Sequence, residues 1–196
     1  MLFRQRSRKE EKMSLISIIF TVILLLILYV IFLYNRFIRQ ENLCAEGWSG
    51  IDVQLKRRYD LIPNLLATVK GYAGYEQATL EKIVRERSAA MQAATPEEKA
   101  KAENLLTSSL KSIFALAENY PDLKASQNFL HFQETLADIE DNLQNARRYY
   151  NATVRSYNTM VGTFPSNLIA RRFNFTDKEF FNIDEAEKAP VKVSFE

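Results

Sequence analysis

The chain has 196 residues, of which 47% are hydrophobic and 26% charged, a balance typical of a folded protein rather than a disordered one. Its single cysteine excludes an intrachain disulfide, and one cysteine with one histidine cannot supply a four-ligand zinc site. Five basic and two acidic side chains fall in the first twelve residues, so the rest carries 21 basic and 22 acidic ones. The sequence therefore gives no sign of the basic surface that a nucleic-acid-binding protein needs.

The first 12 residues are predicted to form a basic tail, and residues 13–35 a transmembrane helix. Within this helix the run LISIIFTVILLLILYVIFL, from Leu15 to Leu33, contains 19 residues without a charge. About 20 apolar residues span the hydrocarbon core of a bilayer. A buried core helix is the alternative, but no other segment is apolar on all sides. The run lacks the small residues of a signal-peptide cleavage site, which favours a lasting anchor.

The charges that flank this span predict its orientation. Five lysines and arginines precede it, whereas Arg36 and Arg39 are the only two between residues 34 and 53. An excess of positive charge marks the cytoplasmic side, so we expect a cytoplasmic N terminus and a bundle outside a bacterial cell membrane. The difference is modest, and the reverse topology stays open.

Residues 36–164 are predicted to form a helical bundle, because apolar residues there recur in steps of three and four. Pro63 is expected to kink the first helix, and Gly71 and Gly74 indicate a turn after it. The first apolar stripe consists of Cys44, Trp48, Ile51, Leu55, Arg58, Ile62, Leu65, Val69 and Tyr72, and the second, which restarts out of phase, of Leu80, Val84, Arg87 and Met91.

Two further helices follow. The sequence Thr95-Pro96-Glu97-Glu98 predicts a capping box at the start of the third, and Pro121 predicts its end near Asn119. The fourth is predicted over residues 122–163, with an average repeat of 3.5 residues that is typical of a left-handed coiled coil. The third stripe contains Ala102, Leu106, Ser109, Ile113, Leu116 and Tyr120, and the fourth Phe129, Phe132, Leu136, Ile139, Leu143, Ala146, Tyr150, Thr153, Tyr157, Met160 and Phe164.

These helices predict an all-α fold, an up-and-down four-helix bundle with long first and last helices behind a single N-terminal transmembrane helix. The middle two helices are shorter than the fourth. We therefore expect the surplus of the fourth helix to pair with the first as a membrane-proximal stalk. Trp48 would then lie against Tyr149, Tyr150 or Tyr157.

Three ordered blocks resemble the LemA family of bacterial membrane proteins: YNRFIRQENLCAEGWSGIDVQLKRRYDLIPNLLATVKGYAGYE, AENYPDLKASQNF and ARRYYNATVRSYNTMVGTFPSNLIA. The resemblance runs from Tyr34 to the C terminus, including the final VSF. It implies an all-α bundle behind one anchor and no established enzymatic activity; some members are linked to membrane compartments in magnetotactic bacteria. Cys44 and Gly47 depart from the block, and Gly47 is expected to loosen the first helix.

The residues do not predict an enzyme. His131 stands in a single H-x-x-E pattern, whereas a di-iron bundle needs two E-x-x-H motifs, and Cys44 is expected far from His131 in the bundle. Arg58 interrupts the first stripe, so we expect it to pair with Glu140 or Asp141 rather than to bind phosphate or an anionic partner. A ligand pocket lined by tyrosines and asparagines is a weaker alternative to packing.

The C-terminal tail, residues 165–196, allows two interpretations. Arginines accompany aliphatic and aromatic residues in SNLIARRFNF, a composition that suits a membrane interface. The same phenylalanines could instead pack on the stalk end of the bundle. The sequence favours neither.

We therefore expect a membrane-anchored helical scaffold or interaction protein of the LemA type, without a cofactor or metal. The expected partners are the lipid bilayer and, through self-association or otherwise, other membrane proteins; neither nucleic acid nor a small-molecule substrate is expected. A ligand-binding or sensory module at the membrane is the alternative. The candidate structural or interaction residues are Trp48, Arg58, Pro63, Tyr150, Tyr157, Phe173 and Phe175.

Overall fold

The computed structural model describes the backbone of residues 2–72 and 77–181, and the side chains of these residues except 2–12 and 14. The described residues form helices and no strand, which confirms the all-α class. The up-and-down order of four helices stays a prediction. The helices are α1 (Leu2–Tyr72), α2 (Gln77–Gln92), α3 (Pro96–Ala117), α4 (Pro121–Lys124), α5 (Gln127–Gly162) and α6 (Ser166–Phe173).

The chain forms two compact units. Unit 1 comprises residues 1–43 and 156–177, and unit 2 comprises residues 44–155 and 178–196. In the N-terminal part of α1, an 18-residue window with a mean hydropathy of 3.2 is long and apolar enough to cross a membrane, and none of it is buried. The predicted limits of the basic tail, the bundle and the C-terminal tail stay predictions, and residues 182–196 lie outside the described part of the chain.

The apolar stripe of α1 is buried largely as its spacing predicts. Its positions from Cys44 to Val69 are at most 6% exposed, apart from the half-buried Trp48, whereas Tyr72 is exposed. The helix continues past Pro63, which lies on the exposed side. It ends at Tyr72, and Gly74 of the predicted turn lies outside the described residues.

The predicted inner face of α2 is right in part, because Leu80 and Arg87 are half-buried. Val84 and Met91 are about half exposed, whereas Ile83 and Ala90 are fully buried. Each fully buried residue precedes a predicted one, so the centre of the inner face is shifted towards Ile83 and Ala90. A polar contact accompanies this face, since Arg87 Nε donates a hydrogen bond of 2.8 Å to the carbonyl oxygen of Tyr59 on α1.

The start of α3 has the predicted cap. Thr95 Oγ1 accepts a hydrogen bond from the backbone N–H of Glu98 at 3.1 Å, and the Glu98 carboxylate accepts one from the N–H of Thr95 at 3.2 Å. The helix ends at Ala117, two residues before the predicted end. Its buried face contains Leu106, Ser109 and Ile113 as predicted, and also Ala100, Glu103, Leu110 and Ala117.

The predicted fourth helix is interrupted near its start. Residues 121–124 form the separate α4, and α5 begins at Gln127 rather than at residue 122. The α5 stripe from Phe129 to Met160 is buried or half-buried throughout. Phe164 departs from this pattern, because α5 ends at Gly162 and the Phe164 side chain is 79% exposed.

Within unit 1 the end of α5 packs on α1, which is the pairing expected of the stalk. The ring of Tyr157 meets the ring of Phe37 edge-on, with 6.1 Å between centroids, and both side chains are fully buried. After α6, Asn174 adopts the left-handed conformation with φ 58° and ψ 36°. The N–H of Phe175 then donates to the Ala170 carbonyl at 2.9 Å, and the Phe175 ring stacks on Phe37 with centroids 4.6 Å apart.

Candidate functional site

A buried cluster of charged side chains lies in unit 2, around Arg58 in the middle of the α1 stripe. Arg58 Nη1 stands 3.2 Å from a carboxylate oxygen of Glu103 on α3 and 3.3 Å from one of Glu140 on α5. Its Nη2 donates a hydrogen bond of 2.9 Å to Thr107 Oγ1. Arg58 is 5% exposed and Glu103 fully buried, so one guanidinium joins three helices inside the protein.

Glu103 is the most deeply placed charge of this cluster. Burial raises the pKa of its carboxyl above the ordinary value, although the hydrogen bond from the Tyr59 hydroxyl and the charges of Arg58 and Arg147 oppose this shift. Burial also raises the pKa of Tyr59, and the negative charge of Glu103 adds to the effect. Tyr59 therefore remains a neutral hydrogen-bond donor to Glu103 at physiological pH.

Arg147 extends the cluster along α5. Its Nη1 is 3.8 Å from the second carboxylate oxygen of Glu140, and its guanidinium lies 5.0 Å from the ring centroid of Phe181. Arg147 is 6% exposed. The cluster thus contains two arginines and two glutamates that are mutually paired, which is how buried charges are accommodated in proteins.

A groove of about 360 Å³ opens beside Arg58, between α3 and α5, and its exposed lining is mostly apolar with polar side chains along it. It places amide and charged side chains at the edge of the cluster, so it offers hydrogen bonds to a small polar molecule. The polar or charged residues that line it are Arg58, Thr107, Lys111, Gln133, Glu140 and Gln144.

A second cluster, the aromatic cluster, consists of Trp48, Tyr150 and Phe181. The Trp48 ring lies 5.4 Å from Tyr150 and 5.9 Å from Phe181, measured between centroids. Lys99 Nζ stands 5.7 Å from the Trp48 ring and 3.0 Å from the Asp52 carboxylate. The face of an indole ring attracts such a cation.

The aromatic cluster also fastens the segment after α6 to α5. The Tyr150 hydroxyl donates to the carbonyl oxygen of Glu179 at 2.9 Å, and burial raises the pKa of Tyr150 to about 12. The Asn151 side chain donates to the carbonyl of Phe181 at 3.0 Å and accepts from its N–H at 2.9 Å. Since Phe181 is 1% exposed, its side chain is part of the folded core.

Gly47 does not loosen α1, contrary to the expectation from the sequence. A Cβ atom at this position would stand 3.1 Å from the Cα of Tyr150 and 3.2 Å from the Tyr149 ring. Such distances are shorter than ordinary carbon–carbon contacts. The missing side chain therefore permits close approach of α1 and α5 beside the aromatic cluster.

The structure brings some of the candidate residues together and leaves others apart. Trp48 contacts Tyr150 in unit 2, while Phe173 and Phe175 both contact Tyr34 in unit 1. Of the two carboxylates predicted to pair with Arg58, Glu140 does so, whereas Asp141 is exposed.

Sequence reasoning missed Glu103, Arg147 and Phe181. Glu103 and Arg147 lie on or beside the inner stripes of their helices, and opposite charges on facing stripes were the available signal. No local pattern pointed to Phe181. Of the two residues considered for nucleophilic chemistry, Cys44 is buried and His131 is exposed. Among the described side chains, no group of three or more His, Cys, Asp or Glu is placed to hold a metal ion.

Comparison with known proteins covers both clusters. The LemA family profile matches residues 47–195. The chain belongs to the LemA family. The resemblance inferred from its sequence blocks is therefore confirmed, and the matched region contains the charged cluster and the aromatic cluster.

Three LemA relatives illustrate the range of similarity. Protein LemA of Metamycoplasma hominis is 28% identical over 183 residues, which cover 90% of this chain and 82% of that protein. Magnetosome protein MamQ of Magnetospirillum gryphiswaldense is 21% identical over 184 residues, 81% of this chain and 68% of that protein. Magnetosome protein MamQ 2 of Paramagnetospirillum magneticum is 22% identical with the same coverage.

Proposed function

We propose that this LemA-family chain is a membrane-anchored helical scaffold or interaction protein that has no catalytic activity. The observation that carries the proposal is the exposed apolar part of α1. Apart from Val30, the large hydrophobic side chains from Leu15 to Phe32 are 45–68% exposed. So much contiguous apolar surface needs a partner, and lipid hydrocarbon matches its length and composition. From the flanking charges, we infer that the N terminus is cytoplasmic and that the predicted bundle, residues 36–164, lies outside.

The charged cluster supports a structural role for unit 2. Its carboxylates and guanidinium groups are bound to one another, and Glu103 is fully buried, so these groups are occupied in holding helices together. Relatives that are named magnetosome proteins support a role in a cellular assembly. Binding would then use the outer faces of the helices, through self-association or through other membrane proteins.

Site-specific photocrosslinking in intact membranes tests the scaffold. A benzophenone amino acid is placed in the full chain at Val53, Leu105 or Leu130, which are 54%, 60% and 45% exposed. Ile113, which is fully buried, is the matched control for crosslinks that form only inside the chain. We expect intermolecular products, identified by mass spectrometry, at one or more exposed sites and none at Ile113. A lack of intermolecular products at all three exposed sites would overturn the scaffold.

The groove beside Arg58 favours a second candidate, a ligand-binding or sensory module, because polar side chains lie along an otherwise apolar lining. Native mass spectrometry of the full chain released from detergent tests it. A bound small molecule that disappears in Gln144→Leu but persists in Arg57→Gln, a control at an exposed position of α1, would favour this function.

A further inference from the structure

Helix α6 is attached directly to the end of the apolar run. Tyr34 follows this run immediately, and its ring lies 5.0 Å from the ring of Phe173 and 5.8 Å from that of Phe175. Phe175 also stacks on Phe37, one helical turn further along α1. Unit 1 therefore holds α6 at the position along α1 where the candidate span ends.

One face of α6 is anchored and the other is open. Ser166 and Ala170 are buried, and the Ser166 hydroxyl donates to the carbonyl oxygen of Met160 at 2.7 Å. On the open side, Leu168 is 55% exposed, and Phe164, just before the helix, is 79% exposed. Phe173, at the end of the anchored face, is 44% exposed beside Tyr34. Three large apolar side chains are therefore available beside the end of the span.

Exposed arginines lie on the same two helices, and the Arg172 guanidinium stands 5.8 Å from the centroid of the Phe173 ring. Arg171 and Arg172 of α6 are exposed, as are Arg36 and Arg39 of α1. The sequence of residues 34–43 and 156–177 contains these four arginines and two acidic residues, Glu41 and Asp177, so the two ranges together carry a net charge of +2. Apolar and aromatic side chains combined with arginine suit the headgroup region of a bilayer, and anionic lipids attract the positive charge.

We propose that α6 is an interfacial membrane-binding element: Phe164, Leu168 and Phe173 enter the bilayer interface next to the end of the span, and Arg171 and Arg172 bind anionic lipid headgroups. The inference rests on the proposed membrane anchoring, because the span sets the depth of α6. It adds a second, lipid-selective contact that anchoring alone does not require. The two arginines sit on an exposed helix rather than in a closed pocket, so the ligand is the headgroup layer and not a free phosphate.

Spin labels on the full chain in lipid vesicles test this proposal. Cys44→Ala removes the single native thiol, and single cysteines then replace Phe20, Phe164 or Leu105, which are 68%, 79% and 60% exposed, so labelling disturbs little packing. The relative accessibility of each nitroxide to oxygen and to a water-soluble nickel complex reports its depth. Phe20, inside the apolar run, reports the anchor, and Leu105, on α3, provides the reference for an exposed apolar site outside unit 1.

With vesicles of phosphatidylcholine and phosphatidylglycerol, we expect the label at 164 to favour oxygen over nickel, between the values at positions 20 and 105. If the label at 20 favours oxygen while that at 164 matches that at 105, the interfacial element is wrong and the anchor stands. If the label at 20 favours nickel, the anchoring itself is wrong, and the proposal falls with it.

Lipid charge tests the second half of the proposal. The label at 164 should become more accessible to nickel in phosphatidylcholine alone, and also when Arg171→Gln and Arg172→Gln are combined in the mixed vesicles. Each arginine near an anionic surface is expected to change the ratio of docked to undocked helix roughly fivefold. Arg57→Gln, an exposed arginine of unit 2, is the control and should leave the ratio unchanged. Equal accessibility with and without phosphatidylglycerol would overturn the headgroup contact.

Discussion

Gly47 of α1 lies against the backbone of Tyr150 on α5, so closely that a methyl group on Gly47 would stand 3.1 Å from the Tyr150 Cα. Gly50, one helical turn later, has room for a methyl group, whose nearest neighbour would be the Ala146 Cβ at 3.9 Å. The two glycines share one helix and one partner helix. They differ because α5 approaches Gly47 too closely for a side chain but leaves room for a methyl group at Gly50.

This difference predicts opposite effects of alanine at the two glycines. Gly50→Ala should raise the free energy of unfolding by up to about 1 kcal/mol, the helix propensity of alanine over glycine. Gly47→Ala gains the same propensity but pushes on the Tyr150 backbone, so it should be less stable than Gly50→Ala by at least about 1 kcal/mol. Urea unfolding of the full chain in mild detergent, followed by circular dichroism, measures both. Equal stability of the two variants would contradict the close approach.

Removing Arg58 should destabilise the protein strongly. Arg58→Met leaves the Glu103 carboxylate buried without its nearest cation, a loss of about 3–5 kcal/mol in the free energy of unfolding. The double variant Arg58→Met and Glu103→Leu should recover most of this loss, because it removes both members of the buried pair. Arg57→Met, at the neighbouring exposed position, should change stability by less than about 0.5 kcal/mol. An unchanged stability of Arg58→Met would show that the cluster does not hold the helices.

The buried carboxyl of Glu103 predicts a pH dependence. Its pKa in the folded protein is raised above the ordinary value of 4.5, so between these two values the folded state binds more protons than the unfolded state. The free energy of unfolding therefore contains a contribution from Glu103 that is present at acid pH and is lost as the pH rises through its folded pKa. Arg58→Met should enlarge this decrease, because the cation that opposes the shift is gone.

Unfolding of the full chain at a series of pH values checks this dependence. Glu103→Gln should remove the decrease with pH that the wild-type carboxyl produces. Glu97→Gln is the matched control, since Glu97 is paired with Lys101 on the surface and the pKa of its carboxyl is lowered. A pH profile of Glu103→Gln that is parallel to that of the wild type would contradict the assignment to Glu103.

The turn after α6 predicts a selective effect of substitutions at Asn174. This residue has a positive φ of 58°, which asparagine and glycine adopt far more readily than a β-branched residue. Asn174→Gly should be tolerated, whereas Asn174→Val should lower stability by roughly 1–2 kcal/mol. It should also expose the Phe175 backbone N–H, which donates to Ala170, to faster hydrogen exchange. Similar exchange at Phe175 in both variants would argue against this conformation.

The sequence predicts the long seams well, for a definite physical reason. Along α1 and α5, large apolar residues recur at helical spacing over many turns, and most of the predicted positions are buried. The Trp48 contact with Tyr150 also follows from this spacing together with the lengths of the helices.

The inner face of α2 was not predictable in this way. Leu80, Ile83, Val84 and Met91 supply apolar candidates on more than one side, and the observed face also aligns Arg87 with a carbonyl group of α1. Only the partner helix decides between such faces.

Local sequence patterns could not predict the charged cluster or the packing of Phe181. Glutamate is seldom fully buried, so Glu103 looks like a surface residue until Arg58 is placed opposite it. Phe181 joins the core through Asn151, thirty residues earlier in the chain, and no periodicity links the two.

Long heptad seams have an inherent ambiguity, because two such helices that slide past each other by seven residues still match apolar side chains to apolar side chains. The bonds of Arg58 remove that ambiguity. Arg147 lies seven residues after Glu140 on α5, and Gln133 lies seven residues before it. A pairing slipped by one heptad would therefore place the Arg58 guanidinium against that of Arg147 or beside the neutral amide of Gln133. We therefore expect the buried charges to favour one register of α1 against α5, at some expense in stability.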